Sequence, residues 1–332
     1  MPPQVYINHD GGVDDLISLT LLLQMPTIKL LGVGVIGADS YVEPAVSASR
    51  KIIDTFSDQS ARLAVAASDS RAVHPFPKEW RTDAYSVDAL PVLNERGTVQ
   101  TPLSPEAAHL DLITKLNQAT EPVTLLFTGP LTDLARALAI NPSIEYKITK
   151  LLWMGGSFLE QGNVAEPDSD GTAEWNAFWD PEAVKTVFDT QIPIELVGLE
   201  STNNVPLTPA IRQRWASKRA NAMMDFIGTC YAFVPQLVHF KTNSTYYLWD
   251  VLTTCYLLDP TIVKTKAIVC DVIPNGIAGG RTFLTKNGRP AKLVYDVDAA
   301  GFFDLIETII KQTNVKRSTD LSVSAPFFER TF

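Results

Sequence analysis

Cysteine and histidine are scarce in this chain, with 3 and 4 copies among 332 residues. Cys230, Cys255 and Cys270 are widely spaced in apolar surroundings and form neither a CxxC pair nor a Cys/His pattern. That excludes a zinc site built on such spacing and predicts reduced packing residues. Positive charge is also short: 28 Lys and Arg stand against 37 Asp and Glu, a formal net charge of −9. A nucleic-acid or acidic-membrane surface needs a basic excess, so neither is expected as a partner. The longest apolar stretch, around Leu16 to Leu23, falls well short of the roughly 20 residues of a membrane span. Met1-Pro2-Pro3-Gln4 has no basic n-region and runs straight into a strand-like segment. No signal peptide and a cytoplasmic location are therefore expected.

What remains is ordinary globular composition, 45% apolar and 20% charged. A chain of this length buries a large core without disulfides or a structural metal. Strands are predicted at Val5-Tyr6-Ile7, Lys29 to Ile36, Leu63 to Ala66 and Val123 to Phe127. Helices are predicted at Asp14 to Gln24, Val42 to Phe56, Pro105 to Gln118 and Leu131 to Ile140. Continuous rather than alternating apolar strands, interleaved with helices, indicate a mostly parallel sheet covered on both faces. The fold class is α/β, an open, doubly wound, Rossmann-like sheet, and no linker or repeat divides residues 1–332 into more than one domain. Pro209 to Phe240 reads as a pair of helices ending in a polar segment, Lys241 to Thr245. Ala267 to Ile273 and Thr282 to Leu293 resemble late strands, and Ala299 to Gln312 a closing helix. Pro75-Phe76-Pro77-Lys78-Glu79-Trp80 reads as a stiff loop carrying exposed aromatics.

The most informative segment is Asn8-His9-Asp10-Gly11-Gly12-Val13-Asp14-Asp15. It leaves the first strand and enters the first helix, at the sheet edge where such folds bind ligands. Glycines there allow a tight turn that draws the carboxylates together. Three aspartates so close repel one another unless a cation sits among them. Hard oxygen ligands suit calcium or magnesium, and irregular geometry favours calcium. A plainer role also fits: Asp14 and Asp15 complement the helix dipole, and Asp10 caps a turn.

Two further segments lie at helix starts, Thr128-Gly129-Pro130-Leu131-Thr132-Asp133-Leu134 and Trp249-Asp250. With Gly162-Asn163-Val164 and Glu174-Trp175-Asn176, they resemble the inosine-uridine nucleoside hydrolase family in order and spacing, over nearly the whole chain. Trp80 and Trp249 resemble the purine-specific branch, which prefers inosine, adenosine and guanosine, rather than the branch with histidine before the last metal aspartate. The resemblance implies hydrolysis of the N-glycosidic bond of purine ribonucleosides to free base and ribose. It also implies Ca2+ held by Asp10, Asp15 and Asp250 and by the Thr128 carbonyl, with Asp10 as general base on a calcium-bound water. Asp14 and Asn176 would hold the ribose 2′- and 3′-hydroxyls, and Asn163 and Glu174 the 5′-hydroxyl. Met154 would lie beneath the sugar, Asp39 would face the base end, and Trp80 and Trp249 would stack on the base. A homodimer or other homo-oligomer, working in purine salvage, is expected.

The chemistry is coherent with those residues. Glycosidic cleavage passes through an oxocarbenium-like state that surrounding oxygens stabilise. Two departures stand out: the family's first aspartate is Asn8 here, and Gly12 replaces a substrate-contacting asparagine. A broad or pyrimidine-preferring hydrolase is the enzymatic alternative, and a calcium-dependent nucleoside binder with weak turnover the non-enzymatic one. His9, His74 and His109 read as structural, while His239 could equally reach the base or serve the surface. Trp153, Trp175 and Trp179 are expected to include packing residues. Asp168-Ser169-Asp170-Gly171 reads as a turn, and Tyr246 and Tyr247 as pocket rim or loop closure.

Overall fold

The computed structural model describes residues 2–57, 63–232 and 246–311. Its strands are β1 Gln4–His9, β2 Lys29–Val35, β3 Val65–Ala67, β4 Val123–Phe127, β5 Ile148–Met154, β6 Ile194–Val197, β7 Val263–Val272, β8 Thr282–Leu284 and β9 Arg289–Val297. The first helices are α1 Val13–Leu22, α2 Val42–Phe56, α3 Asp83–Asp88, α4 Pro91–Asn94, α5 Ala108–Gln118 and α6 Thr132–Ile140. They are followed by α7 Trp175–Trp179, α8 Pro181–Phe188, α9 Leu199–Thr202, α10 Pro209–Ala216, α11 Ala222–Cys230, α12 Trp249–Leu258 and α13 Ala299–Lys311.

All nine strands form one sheet in the order β3-β2-β1-β4-β5-β6-β9-β7-β8. From β3 to β9 the pairings are parallel, and β9-β7 and β7-β8 are antiparallel. Every residue of β1 and β4 is buried, because helices cover both faces there. β7 instead exposes most of one face, as antiparallel strands at a sheet margin can. Helix α1 is buried along its whole length, packed against α2, α12 and α13. Its apolar circumference suits that central place. Among the described residues no helix is long and apolar enough to cross a membrane.

Most predicted elements occur with boundaries moved by a few residues. Three differences are larger. Thr282 to Leu293 is two strands, because the chain crosses from one side of β7 to the other between Leu284 and Arg289, passing close enough that a Cβ at Gly288 would lie 2.1 Å from the Cys270 carbonyl oxygen. β5 and β6 were not predicted, although they carry the parallel sheet past β4. The 75–80 loop does not carry exposed aromatics: Phe76 is buried, stacked on Trp175 at 4.4 Å, and Trp80 is half-buried. Its proline-stiffened turn folds inward because Arg81 is tied down, its guanidinium donating to the Gly37 carbonyl and its carbonyl accepting from Ser40 Oγ. The expected helix pair exists as α10 and α11, while His239 and Lys241 to Thr245 lie outside the described residues.

All three cysteines are free and buried. His9 is buried with Nε2 3.1 Å from Ser49 Oγ, His74 lies 2.9 Å from Asp168, and His109 lies 3.6 Å from Asp69. Asp168 to Gly171 is a turn, closed by Gly171 at φ +81°.

Candidate active site

The strand order reverses between β1 and β4, so the chains leaving these neighbours diverge and open a crevice at their carboxyl ends. Asp10 follows β1 and Thr128 follows β4, which places both at its floor. A cavity of about 220 Å³ lies there, and all the predicted site residues except Asp15 line it. Asp15 is completely buried beneath.

The backbone at the floor demands glycine. Gly11 has φ +86°, and a Cβ there would stand 2.5 Å from that of Ala45. The turn it makes sets Asp10 beside the first turn of α1. Asp15 accepts from the Gly12 N–H at 2.9 Å and from Thr128 Oγ1 at 2.5 Å, joining the β1 and β4 connections. Asp14 accepts from Tyr246 Oη and from the Asp250 N–H, each at 3.2 Å, so α12 is held against α1 by this carboxylate.

Two triads result, Asp10-Asp15-Asp39 and Asp14-Asp15-Asp250, and within each one ligand oxygen per residue lies within 4.8 Å of the others. Burial, reinforced by neighbouring carboxylates, pushes the Asp10, Asp39 and Asp250 carboxyls well above the usual range, and Asp14 up to about 7. Asp250 Oδ1 is buried with no hydrogen-bond partner among the described residues. Clustered, buried carboxylate oxygens, one of them unpartnered, fit a hard cation.

On the β5 side, Glu174 caps α7. It accepts from the N–H groups of Asn176, Ala177 and Gly156 at 2.9–3.1 Å. Burial raises its carboxyl to about 7 despite those donors. Asn176 Nδ2 reaches the carbonyls of Thr128 and Met154, both at 3.1 Å, so the Thr128 carbonyl already takes one hydrogen bond and keeps a second lone pair. Asn163 Oδ1 accepts from the Trp175 N–H at 3.0 Å.

On the opposite side, Trp80 packs edge-on to Trp175 at 5.6 Å, and Trp249 edge-on to Tyr246 at 4.6 Å. Both indoles line the cavity from different elements. Phe76, Asp83, Trp175 and Tyr246 line it too, beyond the predicted set. Phe76 and Trp175 lie in segments that the sequence singles out without giving these two residues a site role, no local pattern marks Asp83, and Tyr246 is a wall residue bonded to Asp14.

A family model described as inosine-uridine preferring nucleoside hydrolase matches residues 5–304. The chain belongs to this family. An inosine-uridine preferring nucleoside hydrolase of Leishmania major is 28% identical over 293 residues, 83% of this chain and 85% of that one. A pyrimidine-specific ribonucleoside hydrolase of Salmonella gallinarum is 27% identical over 314 residues, 91% and 96% of the two chains. The crystal structure of an inosine-uridine preferring nucleoside hydrolase from Bacillus anthracis is 54% identical with a TM-score of 0.89, covering 94% of this chain and all 100% of that one. A purine-preferring ribonucleoside hydrolase from Gardnerella vaginalis, 24% identical, shares the fold with a TM-score of 0.71 over 92% of this chain and 98% of its own. The protein is thus a nucleoside hydrolase with the α/β fold of its family.

The departures from the family pattern have structural counterparts in this nucleoside hydrolase. Asn8 donates through Nδ2 to Asp133 at 3.0 Å, so a buried carboxylate still stands behind the cluster. A Cβ at Gly12 would lie 2.2 Å from Asp39 Oδ2, so Asp39 occupies the room that a side chain at position 12 would need.

Proposed function

We propose that this nucleoside hydrolase cleaves purine ribonucleosides, using Ca2+ bound by Asp10, Asp15, Asp250 and the Thr128 carbonyl, with Asp10 as general base. One observation carries the reading: a single cavity joins the carboxylate cluster, a set of polar groups suited to a ribose, and two indoles. Trp249, not histidine, precedes Asp250, which favours a stacked purine over a base protonated by a neighbouring imidazole.

Calcium, when bound, would supply Lewis acidity toward water and an anchor for the sugar diol. Asp10 takes the proton of the attacking water. Its Oδ2 accepts from the Asp39 N–H at 3.3 Å, which steadies the carboxylate while leaving lone pairs for that proton. Asp14 and Asn176 hold the ribose 2′- and 3′-hydroxyls, and Glu174 and Asn163 the 5′-hydroxyl. Met154 supports the sugar from beneath, and Asp39 faces the base. Acidic oxygens around the ring favour the positive charge that builds on it as the glycosidic bond breaks. The indole faces favour a base that gains a proton on leaving.

The test is release of free ribose from a panel of ribonucleosides, with and without chelator. Inosine, guanosine and adenosine should be cleaved faster than uridine, and chelator should abolish all four. The Salmonella relative carries the second reading: uridine outpacing inosine would reverse the base assignment and leave hydrolysis intact. Calcium-dependent nucleoside binding without ribose release would make the protein a binder.

Metal linkage is measurable without substrate. A ligand at 100 times its Kd stabilises by about 2.7 kcal/mol, so calcium should raise Tm by a few degrees and chelator should reverse it. A Tm indifferent to both would remove calcium from the reading.

A further inference from the structure

The cavity contains a carboxyl that the steps above leave unused. Asp83 opens α3 and is only 6% exposed, yet it lines the cavity wall. Among the described residues its carboxyl makes no hydrogen bond or ion pair. It also stands outside both carboxylate triads. Two buried carboxylates outside the cavity are by contrast well satisfied: Asp133 accepts from Asn8, Ser68 and Ser70, and Asp54 from Gln100 and from both N–H and Oγ1 of Thr101. A carboxyl that takes no partner from the protein and opens onto a ligand cavity has an obvious candidate partner in the ligand.

Position says which part of the ligand it meets. α3 packs on α1 and α2, on the β2 side of the crevice, and Asp83 follows Trp80 by three residues. Met154, Glu174 and Asn176 come from the other side, beyond β4. If the sugar lies over those residues, as proposed above, Asp83 is at the base end beside Asp39.

Burial with no cation or donor nearby raises the Asp83 carboxyl to about 7. The neutral acid offers an O–H at this end of the cavity. As the glycosidic bond breaks, electrons flow into the base and its ring acceptors become more basic. A neutral donor therefore binds the departing base more strongly than the substrate, whereas a carboxylate would repel it.

We propose that Asp83 is a base-binding residue whose carboxyl O–H donates to a ring nitrogen or carbonyl of the departing purine. This rests on the purine reading above. The rival is a structural role at the first turn of α3, complementing the helix.

The two roles separate in the full-length protein with calcium present, using inosine and a p-nitrophenyl riboside. The nitrophenolate leaves as a stable anion and offers no ring acceptor. Asp83→Ala should lower the inosine-to-nitrophenyl ratio of kcat/KM by roughly tenfold, the order of one lost hydrogen bond to a group gaining charge. Asp83→Asn keeps an N–H donor of the same shape and should restore most of the ratio. Tm should stay level or rise in both, because an unpartnered buried carboxyl is being removed. Equal losses on both substrates, or a lower Tm with an unchanged ratio, would overturn the proposal alone. A wild-type protein inactive on inosine but active on the nitrophenyl riboside would overturn the purine reading and this proposal with it.

Discussion

Asp10→Asn should lower kcat on inosine by about 10²–10⁴-fold at saturating calcium, the usual contribution of a positioned base. Asparagine matches aspartate in shape, and its Oδ1 can still accept the Asp39 N–H that Asp10 Oδ2 accepts at 3.3 Å. The backbone contact from Ser40 N to the Asp10 carbonyl, 3.0 Å, does not involve the side chain at all. The cavity should therefore survive, and KM should move far less than kcat. What is lost is the ability to take a proton, since an amide oxygen is far too weakly basic near neutral pH. The substitution also removes a negative charge from the Asp10-Asp15-Asp39 triad, which would weaken calcium binding. Calcium affinity measured by calorimetry on the variant separates the two effects. If Asp10→Asn turns over like the wild type with calcium bound, another group must be the base.

The second large effect is expected at Trp249. Its indole stands at 86° to Tyr246 with centroids 4.6 Å apart, and it tilts against Tyr247 at 5.6 Å. The next residue is Asp250, whose backbone N–H is tied to Asp14, so the ring's position is coupled to the carboxylate cluster. Stacking on a base contributes about 1–3 kcal/mol, and a base carrying positive charge adds a cation–π attraction of about 0.5–2 kcal/mol. Trp249→Ala should then cost roughly 10–100-fold in kcat/KM on inosine, with kcat falling because part of the attraction appears only as the bond breaks. Uridine, with a smaller ring face, should lose less. Trp80→Ala should lose less than Trp249→Ala, because only Trp249 adjoins the carboxylate cluster in the chain, through Asp250. Trp249→Phe should recover part of the difference. The measurement is steady-state kinetics on both nucleosides, alongside Tm; equal losses on inosine and uridine would mark the tryptophans as packing residues.

Asp10, Asp14 and Asp15 are legible because they share one short turn between a strand and a helix, where glycine permits the bend. The strands from β1 to β4 are legible for a related reason: buried parallel strands read as unbroken apolar runs, and the helices between them as amphipathic ones. β5 and β6 are less legible, β5 because polar Thr149 and Lys150 interrupt its apolar run and β6 because it is four residues long, and for the 75–80 loop proline and aromatic content does not say whether it turns inward. Its inward turn depends on Arg81 reaching Gly37 and Ser40 in the β2–α2 connection.

By itself the sequence determined the parallel α/β core, the acidic turn after β1 and the family to which the chain is similar, since these reside in local pattern and motif order. The tertiary structure alone decided that Asp250 meets Asp14 across 236 residues, and that Asp83 and Tyr246 belong to the cavity wall. It also decided what the two departures mean: Asn8 is paired with the buried Asp133, and the space beside Gly12 is filled by Asp39. The reason is range. Dihedral preferences and apolar periodicity act over a few residues, whereas the charges and shapes within a site are set by elements brought together when the sheet closes over its helices.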